Sequence, residues 1–351
     1  MLIYFVLLAL LIVCCVLETY ADWLKIGVVS IRTKYVSVII CGTFFMAMGI
    51  MRSEKLGKDA FNYFNNYWLR SECFDWKYYL TAFDIDNGFY LINKIIHLIT
   101  DDYWLFRAIL FAVLLSVVLY IFCVQSRNVA VSLLVFFGLF YMDYMFNGLR
   151  QGTALVLCFL AYHLYVSKKR LLAFMVISGS ITIHKTACIF LLAFLLVVWI
   201  RRIVYFYEMI IYPVVFLMIA EPVVDYLAMH YKSYEIYGRK NGGFHLLLLI
   251  LTEVFMIRFL IGKHDVDKKE CAIAYNLVFI SVFSQIGALY LSIFTRVNFY
   301  FTFFMCLLIP DIISSLKFNK SKSFYLFIVV FWFGALMIYS CLDSPYIVQK
   351  F

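Results

Sequence analysis

Apolar runs of near-constant length, separated by short polar breaks, fill this chain from its first residues to its last. A membrane-spanning helix needs about 20 mostly apolar residues. With that window the sequence predicts spans near 2–20, 35–51, 103–124, 129–146, 150–166, 170–183, 186–200, 203–220, 244–262, 271–294, 297–316 and 323–341. The expected fold class is an all-α polytopic membrane protein of about 12 transmembrane helices, with bounds of roughly 10 and 14. His184 and Lys185 divide an apolar stretch too long for one crossing, so a tight turn or a re-entrant hairpin is expected there. Residues 1–351 read as a single integral membrane domain.

Two longer segments break the rhythm. Residues 52–102 mix both charge signs with many Tyr, Phe and Trp. Within them Phe89, Ile92, Ile95, Ile96 and Ile99 recur at helical spacing, which predicts an amphipathic helix lying in the membrane interface. Carboxylates beside aromatic rings suit a sugar-binding surface, and they equally suit an ordinary interfacial loop. Residues 221–243 carry Asp225, His230, Tyr234, Glu235 and Arg239 and end on Gly242-Gly243. That glycine pair offers a hinge, so the segment reads either as a lid over a site or as a plain connection.

Composition removes the soluble alternatives. Hydrophobic residues make up 65% and charged residues 15%, with mean hydropathy +0.93, whereas soluble domains carry roughly 25% charged residues. The net charge of +9 fits basic cytoplasmic loops facing anionic lipid better than a nucleic-acid partner, since no long run of Lys and Arg occurs. Of the ten cysteines only Cys73 lies in a polar segment, and no CxxC pair is present, so neither a zinc site nor a disulfide framework is indicated. Residues 2–20 lack the basic start of a signal peptide and read as a retained first span.

Loop charges set a direction. With the N-terminus outside, every inward loop is basic, from Lys25 and Lys34 through Lys168 and Lys169 to Lys320 and Lys322. The short outward turns hold the single cations Arg150, Lys185 and Arg296. Arg150, His184 and Arg296 therefore come to span ends on one outer face. Ionisable groups at membrane depth are costly and are functional candidates. Each alone would equally mark a helix end that snorkels to the interface.

The usual catalytic signatures are missing. No phosphate-binding glycine loop, HExxH or GxSxG occurs. Asp84-Ile85-Asp86 has DxD spacing but lacks the soluble α/β domain in which that motif holds a metal. No metal or cofactor is expected.

Five short segments in order form a recognisable pattern. They are Arg52 with Gly57-Lys58-Asp59 and Tyr63; Asp86-Asn87-Gly88-Phe89; Asn147-Gly148-Leu149-Arg150-Gln151; Ile183-His184-Lys185-Thr186-Ala187; and Arg296 with Tyr300-Phe301. In these the chain resembles the EpsG family of Wzy-like polysaccharide polymerases. Asp86 stands where the family usually has Glu, and Thr186 replaces the common Ser. The resemblance implies a multi-pass protein of the bacterial cytoplasmic membrane whose site faces the periplasm or exterior. It would transfer a growing glycan from undecaprenyl diphosphate onto an incoming lipid-linked repeat unit, as in O-antigen or exopolysaccharide synthesis. Its partners would be those lipid-linked units, membrane lipid, and a flippase and chain-length regulator of the same pathway, with no nucleic acid.

The residues suit that chemistry. Arginine binds phosphate oxygens bidentately and stays charged, so Arg150 and Arg296 are assigned to the diphosphates of donor and acceptor, or both to the donor. His184, Asp59 and Asp86 are the alternative bases. Arg52, Gln151, Lys185, Tyr300, Tyr63, Asn147 and Arg239 are expected around the substrate. The rival readings are an O-antigen ligase, which would carry similar residues, and a lipid-linked oligosaccharide flippase. Against the flippase stand the absence of an internal repeat and ionisable residues gathered at one face instead of mid-bilayer.

Overall fold

The computed structural model describes residues 2–26, 29–52, 59–73, 87–200, 202–230, 268–291, 293–316 and 318–343, together with 247, 250, 251, 254 and 258. Asp86, Arg239, the Gly57-Lys58 pair and most of the expected 244–262 span lie outside those residues.

Helices follow the apolar runs. The chain begins with α1 (Leu2–Tyr20), a two-stranded antiparallel hairpin of β1 (Trp23–Ile26) and β2 (Val29–Arg32), and α2 (Thr33–Ile50). Next come α3 (residues 60–73), α4 (Asn87–His97), α5 (Tyr103–Gln125), α6 (Val129–Gly138), α7 (Tyr141–Asn147) and α8 (Leu149–Val166). Then follow α9 (Arg170–Ile183), α10 (Ala187–Ile200), α11 (Phe206–His230), α12 (Lys268–Tyr290), α13 (Ile293–Thr302), α14 (Met305–Ser315) and α15 (Asn319–Asp343). The hairpin was not foreseen; its Trp23 is exposed and the Arg32 guanidinium lies over that ring at 5.2 Å.

The protein is an all-α polytopic membrane protein. Among the described residues seven helical segments are long and apolar enough to cross a bilayer, while α6, α9 and α10 are apolar but shorter. These helices therefore do not fix the expected count of about twelve. One reason is a break inside the expected 129–146 span: Phe140 adopts the left-handed conformation (φ 65°) between α6 and α7. A bulky residue with positive φ is strained, and an apolar run gives no sign of it. Likewise α11 continues to His230, so the first part of the expected 221–243 segment is helix.

The chain divides into two compact units, residues 1–188 with 316–351, and residues 189–315. In the first, α6 is buried along its whole length and packs against α1 and α15, while α8 packs against α9, α7 and α5. The outer faces are apolar: Phe324, Phe327 and Phe331 of α15 are all more than half exposed, as expected where lipid is the solvent. In the second unit α12 packs against α11, α13 and α14.

The amphipathic helix is α4. Its inward face is Phe89, Asn93 and Ile96, whereas Ile95 and Ile99, expected on the same apolar face, are exposed. Asn93 is fully buried and donates from Nδ2 to the Phe89 carbonyl (2.7 Å), which satisfies its amide donor within the helix.

Candidate functional site

Three helix ends of the first unit meet at one level: the C-terminal end of α2, the N-terminal end of α5 and the joint between α7 and α8. The chain alternates direction through these helices, so residues distant in sequence return to the same end. Arg52 follows α2, and its backbone N–H donates to the Gly49 carbonyl (3.3 Å). Its side chain is only 6% exposed, and its Cζ lies 4.8 Å from the Phe146 ring centroid. Arg107 reaches the same ring from α5, at 5.9 Å, and is 4% exposed. Phe146 in turn stacks on Phe111 (4.6 Å, 21°), which gives the two guanidinium groups an aromatic floor.

Arg150 opens α8 and is half-buried. Its Cζ sits 4.7 Å from the Tyr67 ring and 6.0 Å from Tyr63. A guanidinium over an aromatic face is held by the ring quadrupole without losing its charge. The guanidinium and the backbone of Arg150 both act electrostatically on the buried Tyr63 hydroxyl. Burial pushes the Tyr63 phenol above its usual value; Arg150 pulls it down and Asp59 adds to the rise. Asp59 precedes α3 and is tied to it by its carbonyl, which accepts from the Tyr63 N–H (3.0 Å). The next residue of α8, Gln151, is buried, and beside it Asn147 is half-buried, with its Oδ1 lacking a hydrogen-bond partner among the described residues.

The α4 helix joins this cluster to His184. Phe89 meets Tyr63 at 5.9 Å and Tyr67 at 5.4 Å, both edge to face. On its other side the preceding Gly88 lies against the end of α9: a Cβ there would come within 2.2 Å of Thr182 Oγ1 and 3.0 Å of the Thr182 backbone. Only glycine permits that approach. His184 follows immediately, in extended conformation (φ −153°, ψ 121°), with its N–H still bonded to the Ser180 carbonyl (3.0 Å). The expected break at His184-Lys185 is thus a short turn, closed by the Ala187 N–H on the His184 carbonyl (3.0 Å). His184 is half-buried with its Nε2 enclosed, while Lys185 is exposed.

The second unit carries the remaining expected residues. Arg296 and Tyr300 lie one turn apart on one face of α13, with Tyr300 only 2% exposed and its ring 6.2 Å from that of Phe190. The opposite face holds Asn298, whose Nδ2 donates to Gln285 Oε1 of α12 (2.9 Å); both are buried.

Of the expected residues, then, Arg52, Asp59, Tyr63, Asn147, Arg150, Gln151, His184 and the exposed Lys185 belong to the first unit, and Arg296 and Tyr300 to the second. Sequence reasoning passes over Arg107, Tyr67 and Phe146. A lone cation inside the 103–124 span was the available signal for Arg107. Nothing in the local pattern marks the two rings.

Chemically, the first-unit cluster gathers guanidinium groups of fixed charge, the phenols of Tyr63 and Tyr67, a carboxylate and an imidazole. Among the described residues no three His, Cys, Asp or Glu side chains gather to hold a metal ion. Such a set suits an anionic substrate that loses or gains a proton as it reacts. No curated protein and no solved structure matches the chain. The model of the EpsG family matches residues 34–350, nearly all of the sequence and every described part of this cluster. The chain belongs to the EpsG family, whose members are Wzy-like polysaccharide polymerases.

Proposed function

We propose that this protein extends a polysaccharide at the outer face of the bacterial cytoplasmic membrane, transferring the growing glycan from undecaprenyl diphosphate onto the sugar of an incoming lipid-linked repeat unit. A hydroxyl of the incoming sugar attacks the anomeric carbon of the donor. The bond from that carbon to the phosphate oxygen breaks, and the lipid diphosphate leaves with the electron pair. The hydroxyl proton passes to a base, for which His184 and Asp59 are the described candidates and Asp86 a third.

The observation that supports this reading best is Arg150, half-buried at the start of α8 and held over the rings of Tyr67 and Tyr63. A preorganised cation at that position stabilises negative charge as it develops on the leaving diphosphate, and it does so without waiting for solvent to reorganise. Arg52 supplies a second guanidinium at the same end of the unit. Arg296, one turn from Tyr300 in the second unit, is assigned to a lipid diphosphate as well. Gln151, Asn147 and Lys185 are assigned to the sugars and phosphates around the reacting centre.

The test is reconstitution. Purified protein given a defined undecaprenyl-diphosphate repeat unit should yield a ladder of longer lipid-linked chains on a gel. Arg150→Ala should slow the ladder about 100-fold or more, the usual loss on removing one charge-stabilising donor, and Arg296→Ala should slow it too. No ladder from the intact protein sinks the polymerase reading. A ladder unaffected by either substitution sinks the site assignment alone.

A further inference from the structure

A third arginine stands beside the two that the motifs supply. Arg107 lies one turn into α5, a helix of 23 residues with no other charged side chain, and is 4% exposed. A cation placed there is costly to bury and is a functional candidate for that reason. Its surroundings are specific. Arg107 and Arg52 approach the same Phe146 ring, at 5.9 and 4.8 Å, so their guanidinium carbons lie within about 11 Å of one another. Phe146 is four residues before Arg150, across the α7–α8 joint. Tyr103, which Arg107 also approaches at 5.9 Å, packs on Trp68 at 6.0 Å, in the same α3 segment as the Tyr67 that carries Arg150. Three guanidinium groups, from the end of α2, from α5 and from α8, thus lie over aromatic rings at the same end of the unit.

We infer that Arg107 is a third cation of the anion site and binds the diphosphate of the lipid-linked substrate together with Arg52 and Arg150. This rests on the functional reading above. Three physical facts favour it. Guanidinium groups gathered at one poorly solvated end of the unit attract an anion of two or more charges more strongly than any one of them does. Planar guanidinium forks match phosphate oxygens two at a time. Arg107 also sits near the N-terminal end of α5, where the helix dipole favours an anion and disfavours a cation. The aromatic floor of Phe146 on Phe111 holds both forks without competing for their N–H groups.

The experiment is binding of undecaprenyl diphosphate, without any glycan, to the full chain in detergent, followed by fluorescence together with the thermal midpoint. Arg107→Gln should weaken binding roughly tenfold or more, the loss of one charge-assisted contact, while Arg107→Lys restores part of it. Arg127→Gln, at an exposed position beyond the far end of α5, should bind as the parent does. Inorganic pyrophosphate should compete for the parent and lose potency against Arg107→Gln, which assigns the effect to the diphosphate and not to the lipid tail. Should Arg107→Gln fail to fold, Arg107→Lys decides: reduced pyrophosphate competition with an unchanged midpoint supports the inference. Unchanged affinity in folded Arg107→Gln overturns it, with or without a lower midpoint, and so does a parent that binds neither probe. A parent that binds the lipid diphosphate yet builds no ladder leaves Arg107 in place and removes only the polymerase reading.

Discussion

The two ends of the first unit bury polar groups in opposite ways, and α5 runs from one to the other. At the end holding the C-termini of α1 and α5, the Glu18 carboxylate accepts from the N–H groups of Val129 (2.7 Å) and Ala130 (3.1 Å), the first residues of α6. Asn128 accepts from the Val131 N–H (3.0 Å) and donates to Thr19 Oγ1 (3.0 Å), and Lys34 donates to the Cys123 carbonyl (3.1 Å). Each of these donors meets an acceptor of the same unit, so the network closes a helix start that would otherwise leave bare N–H groups in an apolar setting. The other end collects Arg52, Arg107 and Arg150 over aromatic faces. The first arrangement completes itself and stabilises the fold. The second gathers three guanidinium groups over aromatic rings, the arrangement on which the proposed diphosphate site rests.

That contrast breaks most clearly at Glu18. Glu18→Ala strips the acceptor from two buried backbone N–H groups, at a cost of about 2–4 kcal/mol. The thermal midpoint in detergent should drop, while the rate of glycan extension per folded molecule stays that of the parent. A lost ladder at an unchanged midpoint would reverse the roles assigned to the two ends.

Gly88 tests the link from Arg150 to His184 and should matter less. Gly88→Ala drives a methyl into Thr182, where the nearest backbone atom is 3.0 Å away and cannot swing aside. Overpacking of this kind costs roughly 1–3 kcal/mol, and it moves α4 off the end of α9. Extension should slow several-fold with undecaprenyl diphosphate binding unchanged, because the displaced residue is His184 and not an arginine. Equal loss in binding and rate would mean that α4 holds the arginine cluster itself in shape.

Much of this was legible in the sequence, for reasons that also mark where legibility stops. Apolar runs announce α1, α2, α5 and α15 because lipid demands about 20 apolar residues of any crossing helix. The cations at Arg150 and Arg296 stand out because such residues are expensive there. The same rule applied inside a span would have raised Arg107. The break at Phe140 was hidden, since a strained φ within an apolar run changes no residue type. Arg52 and Phe146 meet across 94 positions of chain, and no periodicity reports a contact made by packing. On α4 the spacing gave the helix, but nothing in it showed that Asn93 would join Phe89 and Ile96 on the face turned to the protein while Ile95 and Ile99 stay exposed.

The finest distinction lies at Tyr63, which belongs to both kinds of polar burial. Its hydroxyl feels the backbone of Arg150, as a capped group does, and also the guanidinium assigned to the proposed diphosphate site. Tyr63→Phe keeps the ring against Phe89 and Tyr67 but removes that oxygen. If capping dominates, the loss is about 1 kcal/mol of stability with extension untouched. If positioning dominates, Arg150 is freed to swing off Tyr67 and extension falls about fivefold, a change of the same size in free energy but read in the rate. The second outcome is expected, because the buried phenol is reached by the charged end of Arg150 as well as by its backbone. Restoration of the rate by a high concentration of lipid-linked substrate would then place the defect in diphosphate binding; a rate that stays low at saturation would place it in the transfer step.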